Sequence, residues 1–146
     1  MKQKKKTSKE KWGKKQVFFI DADPYRQDII VVVNGEFRDA YNKIKKQPTP
    51  NAKIVIEHID SNKDEYFEKP LISIEGTTYH ALPFGYVVVV KHLSSWLDTV
   101  GLVHHECLHL ASYILRKVGI EHCHKTEEAY TYLQQRLAKE ILDKMY

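Results

Sequence analysis

The run DTVGLVHHECLHLASYILRKV, residues 98–118, is the stretch whose reading decides the fold. Val100, Val103, Cys107, Leu110, Ala111, Ile114 and Val118 recur in it at helical spacing and share one side, which predicts a long amphipathic helix with a buried back. Asp98 is the predicted N-cap, Gly119 stands at the C′ position, and Arg116 and Lys117 occupy the last turn, where cations complement the helix dipole. A helix advances about 100° per residue, so His105 and His109 lie about 40° apart on the outward side, one turn above each other.

That spacing lets both imidazoles bind one cation. Zinc is the expected occupant, one ion per chain, since a catalytic zinc takes three protein ligands and leaves its fourth position to water. Glu106 lies just off the ligand face. A carboxylate there can take a proton from that water without ligating the metal, the general-base role for which His-Glu-x-x-His is read. The plainer alternative is a helix in which two histidines stand four apart by chance. The helical setting and the donors downstream favour the metal.

The third ligand is sought in Thr126-Glu127-Glu128-Ala129-Tyr130, the start of a second predicted helix running to about Lys144. Either glutamate could turn toward the metal, and both would also favour the helix dipole in a first turn after a Thr N-cap. Adjacent side chains point about 100° apart, so one can ligate while the other faces solvent. His122-Cys123-His124, in the joining loop, is a rival third ligand or a second site. His104 reads as a packing or surface residue, and His58, His80 and His92 carry no spacing signal.

His105-Glu106-x-x-His109 followed by Glu128-Ala129 resembles the zincin metallopeptidases, and within them the gluzincin type. The resemblance implies that Glu128 is the third ligand and Glu127 a bystander. It also implies a zinc-dependent peptidase that cleaves an intracellular protein, with an α+β fold: a minimal zincin-like domain. Its expected parts are a small mixed sheet and one N-terminal helix, then the metal-binding helix and a C-terminal ligand helix. In that family a strand bordering the cleft holds the substrate extended by main-chain pairing, and Leu71–Glu75 and Tyr86–Lys91 are the candidates here. The run from Glu128 to Leu133 is similar to that of small metallopeptidases of phages and prophages. Thermolysin-like gluzincins have an aspartate where this chain has Tyr132, so the surroundings of the ligands differ. Ser112 and Leu115 stand where metzincins need glycine and histidine, and no cysteine precedes Cys107 to serve as a deformylase ligand. Tyr113 and Tyr132 are placed by spacing to donate to an oxyanion. The rival function is a catalytically silent zinc-binding regulatory or interaction protein of zincin descent.

Size and composition set the frame. A chain of 146 residues, 42% hydrophobic, suits a single domain with a real core. No apolar stretch approaches a membrane span or a signal-peptide core, which predicts a cytoplasmic protein with Cys107 and Cys123 reduced. Residues 1–15 hold eight lysines and one glutamate, a net +7 that leaves −3 for the rest of a +4 chain. Such a segment is expected to be a disordered tail before a domain at 16–146. It could make weak nucleic-acid contact, with Trp12 adding stacking, or be a solvated tail without a partner.

The remaining elements follow from periodicity and turn signals. Strands are expected at Gln16–Asp21 and Asp28–Val33, the second ending at Asn34-Gly35. Phe37, Ala40, Tyr41 and Ile44 predict a helix over Glu36–Lys46, ended by Gln47-Pro-Thr-Pro-Asn51. Lys53–His58 reads as a strand, Asp60–Pro70 as a charged loop, Leu71–Glu75 as a strand, and Thr78–His80 as its hairpin partner. Tyr86–His92 reads as an apolar strand covered on both faces.

Overall fold

The computed structural model describes residues 12–68 and 76–146. The class is α+β, as expected. Four strands, β1 (Gln16–Asp21), β2 (Asp28–Val33), β3 (Gly76–Leu82) and β4 (Gly85–Val90), form one mixed sheet in the order β1-β2-β4-β3. β1 and β2 are antiparallel, β2 and β4 parallel, and β4 and β3 antiparallel.

The central pair, β2 and β4, is buried on both faces, which its unbroken β-branched runs require. Ile29, Val31 and Val33 of β2, with Tyr86, Val88 and Val90 of β4, face helices α3 (Trp96–Lys117) and α4 (Glu127–Met145). Ile30, Val32 and Val87 face α1 (Phe37–Lys45) and α2 (Pro50–Ser61) on the other side. Gly85 lets β4 start close against β2, because a Cβ there would collide with the Asp28 carbonyl oxygen. Among the described residues no helix is long and apolar enough to cross a membrane.

Several expectations are corrected. Lys53–His58 is not a strand: it lies inside α2. The β-branched Ile54, Val55 and Ile56 suggested a strand, but Thr49 Oγ1 accepts from the Ala52 N–H at 3.2 Å and Pro50 opens the helix. Ala52, Val55 and Ile59 then fall on one buried stripe. The Pro-Thr-Pro segment therefore ends one helix and starts the next, and among the described residues two α-helices, not one, precede the metal-motif helix. The charged loop expected after Asp60 contains a π-helical turn, Asp64–Glu68. Leu71–Glu75 lies outside the described residues. Thr78–His80 belongs to β3, whose partner is β4.

α3 begins at Trp96, one turn earlier in effect than Asp98 implied. Ser95 is its N-cap: its Oγ accepts from the Asp98 N–H at 3.0 Å and donates to the Asp98 carboxylate at 2.7 Å. The helix ends where Gly119 takes φ +84, the left-handed conformation that glycine adopts without strain. Val118, expected in the core, is exposed. Of the expected tail, residues 1–11 lie outside the described residues, while 12–15 rest on the body. The Trp12 ring lies 4.5 Å from that of His92, Asn34 donates to the Lys14 carbonyl at 2.9 Å, and Lys15 pairs with Asp39 at 2.9 Å.

Candidate metal centre

The back of α3 fixes the direction of its front. Val103, Cys107, Leu110, Ala111 and Ile114 are fully buried against the sheet and α4, so His105 and His109 are turned outward, and both are exposed. Their Nε2 atoms stand 3.2 Å apart, with ring planes at 75°. Zinc–nitrogen bonds of about 2.0–2.1 Å at a tetrahedral angle separate two ligand nitrogens by about 3.3–3.4 Å. The pair thus fits two positions of one tetrahedral cation, and its all-nitrogen chemistry suits zinc.

Glu106 is only 4% exposed. The angular position it occupies is otherwise taken by Val103 and Leu110, both buried. A carboxylate among such neighbours is costly unless its interactions there compensate it, so packing alone does not account for it. Burial, with the nearby Glu106 charge adding to it, pushes the Cys107 thiol up to about 12. Cys107 is consequently an inert core residue and not a ligand.

The downstream candidates separate. Thr126 precedes α4 as expected, although its hydroxyl binds the preceding loop: it accepts from the Cys123 N–H at 3.0 Å and donates to the Glu121 carbonyl. Glu127 lies 3.9 Å from His124 Nδ1, a pairing that needs the imidazole protonated. Glu128, in the same exposed first turn, has no side-chain hydrogen bond or ion pair among the described residues. His122 packs edge-on against Tyr130, whose hydroxyl donates to the Ile120 carbonyl at 2.6 Å. Cys123 is exposed and free. Its thiol is held below the usual value by the Thr126 hydroxyl first, and then by the Lys125 and Thr126 backbone N–H groups.

Among the described residues no three His, Cys, Asp or Glu side chains are gathered closely enough to hold a metal. The structure therefore brings His105 and His109 together and leaves Glu128, Glu127 and the His122–His124 loop apart from them. The helix carrying Glu128 is nonetheless fastened to α3, by the Gln134 amide donating to the His104 carbonyl at 2.9 Å. Tyr113 lies stacked beside His109, with ring centroids 6.5 Å apart, and Tyr132 is well exposed on α4.

Of the two strand candidates for substrate pairing, Tyr86–Lys91 is ruled out, because β4 is bonded on both sides. Among the described residues β3 is one edge of the sheet and β1 the other, and β3 packs beside α3. Compared with protein-family models, curated proteins and solved structures, the chain matches none.

Proposed function

We propose that the chain is a zinc-dependent peptidase of zincin type, in which His105, His109 and Glu128 hold the metal and Glu106 is the general base. The observation that carries this reading is a buried carboxylate, Glu106, on the same helix as two exposed histidines whose Nε2 atoms stand 3.2 Å apart. Zinc, when bound, supplies a Lewis acid for the scissile carbonyl and makes water acidic enough to react near neutral pH.

The protein's own groups do the rest. Glu106 takes the proton of the attacking water and passes it to the leaving amine, a role that benefits from a desolvated setting. His105 and His109 would hold the ion through their neighbouring Nε2 atoms, and to do so each would have to be neutral there. The edge strand β3 has main-chain N–H and C=O groups free of β4 on its outer side, the pattern that adds an extended peptide as a further strand. Leu97 and Leu108, both exposed on the same front of α3 as the histidines, provide apolar surface for a protein substrate. Glu128 is favoured over Glu127 as third ligand because Glu127 has His124 as a neighbour.

Metal content tests the reading. About one zinc per chain is expected after purification without added metal, and less in both His105→Ala and Glu128→Ala. Loss with His105→Ala alone would transfer the third position to Glu127 or the His122–His124 loop. No metal in any sample, even after zinc is offered, would overturn the proposal. One observation favours a second reading, a catalytically silent zinc-binding regulatory or interaction protein: no third donor is gathered beside the histidine pair among the described residues. That reading expects zinc to be bound while no member of a peptide library is hydrolysed.

A further inference from the structure

Among the described residues His92, just after β4 and outside the metal motif, is a histidine whose surroundings are closely specified. Its ring is clustered with Trp12 at 4.5 Å and Tyr146 at 5.8 Å. Nδ1 meets two N–H groups: the Gly13 backbone N–H at 3.2 Å and the Asn34 side-chain amide at 2.7 Å. The orientation of that amide follows from its other bonds. Asn34 Oδ1 accepts from the His92 backbone N–H at 2.8 Å, and Nδ2 donates to the Lys14 carbonyl at 2.9 Å. Asn34 therefore presents N–H to the ring, and Nδ1 must offer a lone pair. The ring is neutral, with its proton on Nε2, which is buried and has no hydrogen-bond partner among the described residues.

Three polar links fasten residues 12–15 to the body: the Gly13 bond ends on the imidazole, the Lys14 bond on the Asn34 amide that the imidazole also holds, and the Lys15 bond on Asp39. We propose that His92 is a pH-sensitive latch: neutral, it holds residues 12–15 on the body, and its protonation releases them. Protonation places an N–H on Nδ1, facing two N–H donors, so both bonds become repulsive contacts. Burial acts in the same direction, lowering the pKa of the ring.

Charged neighbours neither replace nor oppose the latch. From the N-terminal segment come Lys14 and Lys15, from the residue after β4 Lys91, from the turn after β2 Glu36, from the start of α3 Asp98, and from the end of α4 the Tyr146 phenol. Among the described residues none of them forms an ion pair with the imidazole. Lys15 pairs instead with Asp39 at 2.9 Å, and its side chain is more than half exposed. Such a pair holds a segment weakly and is screened by salt.

The direction of the pH effect follows from linkage. The latched form excludes a proton that the released form accepts below the ordinary histidine value of about 6.5. Latching is thus complete above that value, and it weakens as pH falls from there through the lowered pKa of His92, by up to about tenfold per pH unit.

Trp12 reports the event. In a Trp96→Phe background it is the sole tryptophan, since the chain has two. Its emission maximum and its quenching by acrylamide are followed with falling pH, beside far-UV circular dichroism. The expected result is a red shift and a gain in quenching in one transition below the ordinary histidine value, with helix content unchanged. His92→Gln keeps an acceptor for the same two donors but cannot titrate, so it should abolish the transition. Asn34→Ala should show the released emission already at alkaline pH. A pH-independent Trp12 in the parent, or the same transition surviving in His92→Gln, overturns the proposal. So does a transition that coincides with loss of helix in both.

Discussion

On its inner side α3 presents Val103, Cys107, Leu110, Ala111 and Ile114, all fully buried, while on its outer side it presents Leu97, Gly101, His105, Leu108 and His109 to solvent. The inner set is what any helix packed on a sheet requires. The outer set is poor by the same standard. Gly101 weakens the helix interior, Leu97 is 73% exposed, and the two histidines are both exposed. Between the two sides lies Glu106, ionisable and buried. A helix shaped by stability alone would have none of these on its front, so the contrast separates what holds the fold from what is available for chemistry.

The sharpest way to break the contrast is Glu106→Gln. It keeps shape and burial and removes the base, so turnover should fall by about 10²–10⁴-fold while zinc content stays the same. Peptide hydrolysis and metal analysis of one preparation check both halves. Undiminished cleavage would remove Glu106 from the mechanism and leave its burial to be explained structurally.

Next in size is the inner side. Ile114→Ala should cost about 2–5 kcal/mol in urea unfolding, through lost burial and the cavity left against α4. His105→Ala, exposed on the other side, should alter metal-free stability by no more than about 0.5 kcal/mol. Equal losses in the two variants would mean that the outer side is structural too. The contrast can also be reversed by metal: zinc at a hundred times its dissociation constant should stabilise the parent by about 2.7 kcal/mol, and this gain should vanish in His105→Ala. Thermal denaturation with and without zinc reads it directly.

The parts of this design that depend on local pattern were legible in the sequence. The heptad-like back of α3, the unbroken β-branched runs of β2 and β4, and the 40° offset of His105 and His109 all follow from the local sequence. The parts that depend on which of several local caps is used, or on distant partners, were not. Lys53–His58 has β-branched residues that fit a strand as well as a helix, and only the Thr49 cap with Pro50 decides between them. Asp98 looked like an N-cap, but Ser95 takes that place because the chain leaving β4 turns earlier: the Leu93 N–H reaches Thr99 Oγ1 at 2.9 Å. His92 has no motif around it. Its role comes from Asn34, 58 residues away in the chain, and from Gly13, 79 away. A third metal ligand would be of the same kind: the adjacency of Glu127 and Glu128 in sequence does not determine which of them would approach another helix, and the structure leaves both apart from the histidine pair.

The smallest effect separates the two sides most finely. Gly101 stands one turn before His105, and a Cβ placed on it would meet nothing within 4 Å. The fold therefore has no need of glycine there, and Gly101→Ala should stabilise the protein by about 0.5–1 kcal/mol by restoring helix propensity. If the outer side receives substrate, the added methyl occupies space beside the histidines. The stabilised variant should then bind peptide less well, with KM raised and kcat little changed. A stability gain without any change in KM would mean that substrate does not approach α3 at this turn. In that case the exposed Leu97 and Leu108 would be left without the role assigned to them.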